Sequence, residues 1–296
     1  MLAKRLPSLT AIAVACARGV AGVPASGRSP IDAVADRLVP APVGALVRGV
    51  QRAAVRSARV DRALRAGTFG LVYHLTLRTA SIDAAIPLSA ERVGQLVVLG
   101  AGLDTRAWRM RELADAIVFE VDHPATQRYK RARTEGARPR ARAVTFVAVD
   151  FERDDLGHRL AVAGHDPAAP TTWIWEGVTP YLTPAARAAT LDVLGARSTP
   201  GSVLAMTYGT PELVSGDAAL LFLLRPFVRP AFRLLGEPLA GLLEPAAAAS
   251  LVASRGFGVT DDSGSRDWAA RAGARPPRVV IAERLLVASM GEPRHG

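Results

Sequence analysis

Residues 95–106 constrain the fold of this chain more than any other stretch. They read QLVVLGAGLDTR, an apolar run followed by Gly100, Gly102 and an acid. This pattern predicts a buried parallel strand that runs into a tight turn. Glycines in such a turn let the backbone approach a ligand closely, because no Cβ stands in the way. The sequence therefore predicts a ligand-binding turn after this strand.

Acidic residues follow the next three apolar runs in the same manner. The second run ends at Asp122, the third at Asp150 with Phe151 behind it, and the fourth at Glu176. A carboxylate at a strand end can accept both hydroxyls of a ribose, and Glu120, on the same side of its strand, is an alternative to Asp122. Asp150 can accept an adenine amino group while Phe151 brackets the base. Together these acids predict a nucleoside-binding crevice along one sheet edge.

Apolar runs and helical stretches alternate from residue 95 onward, which predicts an α/β fold with a parallel sheet covered on both faces. We expect strands at 95–99, 116–121, 144–149, 172–176, 202–208, 257–260 and 279–288. We expect helices at 32–38, 44–64, 69–86, 104–113, 124–135, 155–163, 184–196 and 246–254. The predicted organisation is an N-terminal helical extension (1–94), a cofactor-binding core (95–210), a helical cap or lid (211–247) and the C-terminal part of the core sheet (248–296).

Composition limits the other possibilities. The chain is 49% hydrophobic and carries a formal charge of +10, which admits a nucleic-acid partner as one alternative. The arginines are spread along the chain and no recognition motif accompanies them, so we expect no nucleic-acid partner. Cys16 is the only cysteine, which excludes an intramolecular disulfide and a zinc site built on several cysteines. We expect no metal.

The N-terminus resembles a short signal peptide, but Arg18 interrupts its apolar run. We therefore prefer a folded helix there, with secretion as the alternative. No run approaches the roughly 20 apolar residues that a membrane span needs. These features predict a cytoplasmic protein without stable membrane insertion.

Four segments together resemble the leucine carboxyl methyltransferase family: VVLGAGLDTRAWRM, VFEVDHPATQRYKRAR, VTFVAVDFERDDL and WEGVTPYLT. The likeness is closest to its bacterial branch of S-adenosyl-L-methionine-dependent methyltransferases. It implies a class I methyltransferase (Rossmann-like) fold, in which a seven-stranded sheet ends in an antiparallel strand. It also implies S-adenosyl-L-methionine as cofactor. We expect a small molecule as methyl acceptor, with a protein C-terminus as an alternative.

The resemblance also implies roles for individual residues. Gly100 would line the methionine part of the cofactor, Gly102 of the same turn would also contact the cofactor, and Asp122 would hold the ribose. The adenine would be held by Asp150 and Phe151. An acid matching Glu176 lies near the cofactor amino group in the family, and an arginine matching Arg78 pairs with its carboxylate.

The expected reaction is methyl transfer to an oxygen. A carboxylate acceptor needs no base, whereas a hydroxyl acceptor would need one. Tyr181 is the best-placed candidate for that base, with His74, His123 and Tyr208 as alternatives. An NAD-dependent oxidoreductase would share the glycine turn and Asp122. Against it, Thr105 occupies the position of the third glycine in the dinucleotide fingerprint.

Overall fold

The computed structural model describes residues 35–57, 59–60, 63, 68, 70–86, 94–216, 239–274 and 279–291. The helix predicted near the N-terminus and most of the predicted cap lie outside these residues. No helix within the described ranges is long and apolar enough to cross a membrane.

Seven strands form one sheet in the spatial order β3-β2-β1-β4-β5-β7-β6. Their bounds are β1 Gln95–Leu99, β2 Ile117–Asp122, β3 Ala143–Ala148, β4 Thr171–Trp175, β5 Val203–Gly216, β6 Phe257–Gly264 and β7 Val279–Met290. Strands β1 to β5 pair in parallel, whereas β7 runs antiparallel to both β5 and β6. The predicted α/β sheet with an antiparallel last strand is confirmed.

Helices connect the strands over most of the sheet. Their bounds are α1 Ala35–Leu38, α2 Ala41–Arg56, α3 Leu71–Ala85, α4 Arg106–Arg109, α5 Pro124–Thr134, α6 Leu156–Val162, α7 Pro184–Ala196, α8 Pro245–Ala253 and α9 Ser265–Arg271. The helix expected over 104–113 is interrupted at Met110, whose backbone is extended, and resumes as a 3-10 turn. Helix α9 was not predicted.

Strand β5 runs beyond its predicted end at residue 208. After a bulge between Gly209 and Val214, it continues to Gly216 by pairing with the start of β7. Residues 211–216, which lie within the range predicted as the cap, therefore belong to β5. The pairing that extends the strand comes from residues about 65 positions later in the chain.

Side chains from both faces of the central strands are buried, which explains their continuous apolar sequences. Val97 and Leu99 contribute to the core on one face, and Leu96 and Val98 to the core on the other. The register sets Leu99 beside both Val121 and Trp175. The residues that follow these strands therefore reach the same edge of the sheet, and this edge contains the candidate site.

Candidate active site

The glycine turn after β1 is tied to the end of β2. Gly100 and Gly102 have φ of 65° and 47°, a conformation that favours glycine. One carboxylate oxygen of Asp122 accepts the Gly102 N–H at 2.5 Å, and the other accepts the His123 N–H at 2.5 Å. Burial raises the pKa of Asp122 above its ordinary value, although both amides oppose the rise. The two predicted elements thus meet, with a fixed carboxylate beside the turn.

Glu120, the alternative to Asp122 as the ribose-binding carboxylate, is instead paired with a lysine. It lies 2.6 Å from the Lys130 ammonium, and both side chains are almost completely buried. Burial raises the pKa of Glu120 to about 7, because the desolvation of its charge outweighs the attraction of Lys130. This ion pair leaves Asp122 as the carboxylate at the turn.

Asp150 and Phe151 follow β3 on the same edge. The Val149 N–H donates to the Asp122 carbonyl at 2.9 Å, which aligns the two strand ends. One Asp150 carboxylate oxygen accepts the Glu152 N–H at 3.1 Å, and a third of the Asp150 side chain is exposed. Phe151 is partly buried against the core. A ligand bound at Asp122 could therefore extend along this edge to Asp150 and Phe151.

Arg78 and Glu176 meet in a buried ion pair. The Nε and Nη2 atoms of Arg78 donate to Glu176 Oε1 at 3.1 and 2.9 Å, and Nη1 donates to both Glu283 oxygens at 2.9 Å. Burial alone would lower the pKa of Arg78, but the two carboxylates raise it overall. Burial would raise the pKa of Glu283, but Arg78 and His74 lower it to about 2. Arg78 and Glu283 are therefore both held in their charged forms.

This pair belongs to a larger charged cluster that we call the arginine cluster. Arg106, completely buried, donates to Glu176 Oε2 at 2.8 Å and also contacts Asp104. Asp83 accepts from Arg106 at 2.7 Å and from Arg109. The described members are three arginines and four carboxylates: Arg78, Arg106, Arg109, Asp83, Asp104, Glu176 and Glu283. With His74, which contacts Glu283, counted as neutral, their formal charge is −1, at the edge where β4 ends.

The four candidate bases occupy different surroundings. Tyr181 ends a 3-10 turn that follows β4, and it is partly buried. His74 bridges Glu283 and Ser265, with 2.7 Å contacts to each. The Tyr208 hydroxyl donates to Asp262 at 2.7 Å, and burial raises its pKa, which opposes a role as base. His123 caps α5 by accepting the Ala125 N–H. Tyr181 stays the candidate from the sequence.

Sequence reasoning did not identify Glu283 or Arg106 as site residues. Glu283 lies inside the apolar strand β7, and an acid at such a position is itself a signal of a buried partner. His74 and Arg78 are four residues apart on α3, a spacing that places both on one helix face. Both side chains reach Glu283.

The family profile described as leucine carboxyl methyltransferase matches residues 11–195. The chain belongs to this family. The matched segment contains the glycine turn, every predicted cofactor-binding residue and Tyr181, whereas Tyr208 and Glu283 lie beyond it.

Two bacterial proteins similar to this chain are named "Putative S-adenosyl-L-methionine-dependent methyltransferase". The protein from Frankia alni is 40% identical over 167 residues, which are 54% of this chain and 58% of that protein. The protein from Streptomyces coelicolor is 38% identical over 162 residues, 54% of this chain and 56% of that protein. The chain thus matches a little over half the length of these relatives.

The fold has counterparts among solved structures. A crystal structure of a DUF574 family protein from Streptomyces avermitilis superposes with a TM-score of 0.54 at 17% identity, covering 75% of this chain and 85% of that one. The sheet order and this likeness give the chain the class I methyltransferase fold. No cluster of three or more potential metal ligands occurs among the residues that the structure describes.

Proposed function

We propose that this chain is an S-adenosyl-L-methionine-dependent methyltransferase that transfers a methyl group to a carboxylate or hydroxyl oxygen of a small molecule. Membership of the leucine carboxyl methyltransferase family supports the reaction class and an oxygen acceptor. The names of the bacterial relatives support S-adenosyl-L-methionine as the methyl donor.

The charge of the arginine cluster carries the proposal. At neutral pH the cofactor has an ammonium, a sulfonium and a carboxylate, and its formal charge is therefore +1. The described cluster has a formal charge of −1 and lies beside the glycine turn, at the strand edge where α/β sheets bind ligands. Arg106 Nη2 is buried without a hydrogen-bond acceptor among the described residues, which leaves a donor for the cofactor carboxylate. The residues present therefore fit this cofactor.

The other site residues would bind the nucleoside. Asp122 would accept the ribose hydroxyls, with Gly100 and Gly102 beneath the methionine part. Asp150 would accept the adenine amino group, while Phe151 covers one side of the base. Glu176 would face the cofactor amino group, and Arg78 would hold Glu176 in place and contact the cofactor carboxylate.

When bound, the cofactor supplies an electrophilic methyl group, so that an attacking oxygen forms the new O–C bond while the S–C electron pair stays on sulfur. The role of the chain is to hold the two reactants in line and to exclude water. Orientation of this kind can lower a barrier by about 7–11 kcal/mol. A carboxylate acceptor is already anionic and requires no base; for a hydroxyl acceptor, Tyr181 would be the base.

Calorimetric titration of the full chain with S-adenosylhomocysteine tests the cofactor assignment. We expect saturable binding to the wild type and to Asp192→Asn, a control in which an exposed carboxylate on α7 is neutralised. NADH should produce no saturable heat. An absence of heat and of a thermal shift at millimolar S-adenosylhomocysteine would reject the proposal, and NADH binding would favour the oxidoreductase alternative.

Incubation with methyl-labelled cofactor and fractionated metabolites tests the acceptor atom. Methyl esters release labelled methanol in mild base, whereas methyl ethers and N-methyl products do not. Label in the ester or ether fraction supports an oxygen acceptor, and label confined to N-methyl products contradicts it.

A further inference from the structure

One buried cation of the described structure differs from the others in its partners. Four basic side chains, excluding histidines, are in the buried class there: Arg78, Arg106, Lys130 and Arg187. The first three contact carboxylates. Arg187 has no carboxylate partner among the described residues, although only 6% of the residue is exposed.

The guanidinium of Arg187 uses one of its two hydrogen-bonding edges. Its Nη1 donates to the Gly241 carbonyl at 3.1 Å, and Nε is buried with no hydrogen-bond partner in the described part of the chain. Nη2 forms no hydrogen bond or ion pair with the described residues. The N–H groups of Nε and Nη2 point along the same edge of a guanidinium, the edge that binds a carboxylate with two parallel hydrogen bonds. That edge of Arg187 is unoccupied by the described protein groups.

Arg187 lies on the helix that follows the end of β4. It is in the first turn of α7, which follows the 3-10 turn after β4, the strand that leads to Glu176. The Gly241 N–H donates to the Pro180 carbonyl at 2.8 Å, so the segment around 241 is fixed to that same turn. A Cβ on Gly241 would come within 2.7 Å of Arg187 Nη1. Backbone and guanidinium are therefore in close contact.

A buried charge without a counter-ion is unfavourable, and burial lowers the pKa of Arg187. The other buried cations show how this fold neutralises such charges, with carboxylates at 2.6–2.9 Å. Among the described residues no carboxylate neutralises Arg187 in this way. An anionic ligand would do so.

We propose that Arg187 binds a carboxylate of the methyl acceptor, through the edge formed by Nε and Nη2. The proposal rests on the proposed methyltransferase function and narrows its substrate class to acidic small molecules. A bidentate guanidinium–carboxylate pair would fix the orientation of the acceptor as well as its charge.

Nuclear magnetic resonance of the full chain, labelled with ¹⁵N-arginine and saturated with S-adenosylhomocysteine, tests the binding edge directly. The probe is acetate, which is small enough to reach any accessible guanidinium, and acetamide is its uncharged counterpart. We expect acetate to shift one Nε–H signal saturably, acetamide to leave it in place, and Arg187→Met to remove that signal. No acetate-dependent shift of the Arg187 signal would overturn the proposal, and an equal shift with acetamide would overturn it too.

The stability of the free protein separates a ligand-binding role from a structural one. If Arg187 awaits a counter-ion, Arg187→Met should melt at the same temperature as the wild type or higher. Arg159→Met, which changes an exposed arginine on α6, is the matched control. A fall of several degrees for Arg187→Met alone would show that the guanidinium holds the Gly241 segment, and would overturn the proposal.

Methyl transfer completes the test. We expect Arg187→Met to reduce labelling of acidic acceptors at least tenfold and Arg187→Lys to reduce it less, with S-adenosylhomocysteine affinity within twofold of the wild type. Unchanged labelling of acidic acceptors by Arg187→Met would overturn the role of Arg187. If the wild type fails to bind S-adenosylhomocysteine, the methyltransferase function fails, whereas the acetate titration without that ligand still reports on the anion site.

Discussion

The carboxylate of Asp122 accepts the backbone N–H of Gly102 at 2.5 Å, which joins the end of β2 to the turn after β1. This contact gives Asp122 two roles. In the free protein it fixes the glycine turn, and in the proposed complex its remaining acceptor capacity holds the ribose. A carboxylate has about four lone-pair directions, so the two roles are compatible.

Asp122→Asn is expected to weaken S-adenosylhomocysteine binding by about 10- to 100-fold, because hydrogen bonds to a charged group contribute about 1.5–3 kcal/mol. The amide keeps the size of the side chain and one acceptor oxygen, so the variant should stay folded. Calorimetry measures the loss, with Asp192→Asn as control. Affinity within twofold of the wild type would remove Asp122 from the proposed site.

Gly100→Ala should lower the stability of the protein by more than the left-handed backbone conformation of Gly100 alone explains. A Cβ at Gly100 would lie 2.2 Å from Val178 Cγ2, whereas Gly136, with φ of 73°, has nothing within 4 Å of the same position. Gly136→Ala therefore measures the conformational cost alone, about 1–2 kcal/mol. We expect Gly100→Ala to lose more stability than this in urea unfolding and to lose S-adenosylhomocysteine binding. Equal losses of stability in the two variants would contradict the steric argument.

Glu120→Leu should destabilise the fold strongly, because it leaves the buried Lys130 ammonium without its carboxylate. Removal of one partner from a buried ion pair typically costs about 3–5 kcal/mol. The double variant Glu120→Leu, Lys130→Met replaces both charges by apolar groups and should recover most of that loss. Urea unfolding of both single variants and the double variant gives the coupling energy. Additive losses would show that the pair is not coupled.

His165 should make the fold less stable in mild acid. Burial lowers its pKa to about 4, and the nearby charge of Arg197 adds to this effect. Between the unfolded pKa near 6.5 and the folded value, the unfolded chain binds a proton that the folded chain does not, so stability rises with pH across this window. As pH falls from about 6.5 to about 4, the loss should approach about 3 kcal/mol.

The variant His165→Asn isolates this contribution, because all other titrating groups are unchanged. Its unfolding free energy should vary less with pH between 4 and 6.5 than that of the wild type. Parallel curves for the two proteins would show that another group causes the acid sensitivity.

Local sequence was sufficient to predict the strands of much of the central sheet. The predicted bounds of β1 and α7 agree with the structure, because apolar runs and Thr183, the N-cap of α7, are readable within a few residues. The end of β5 and helix α9 were not predicted. The final residues of β5 pair with β7, a contact that no window around residue 210 contains.

In the candidate site, too, some features could be predicted from the sequence and others could not. Asp122, Asp150 and Glu176 could be identified because each ends a strand, and parallel strands end at one edge. The ion pairs of Arg78 could not be predicted, since this side chain reaches Glu176 and Glu283 across 98 and 205 residues of sequence. The exclusion of Glu120 likewise needed the position of Lys130, which only the packed helix α5 provides.

The placement of β7 between β5 and β6 has a consequence for biosynthesis. Because Glu283 belongs to β7, Arg78 lacks one of its two counter-ions until the 205 residues that separate them in the sequence have been synthesised. The charged contacts of the candidate site are therefore completed only after β7 has been synthesised. A nascent polypeptide that stops before residue 279 would contain the glycine turn and its acids but not the charge balance around Arg78.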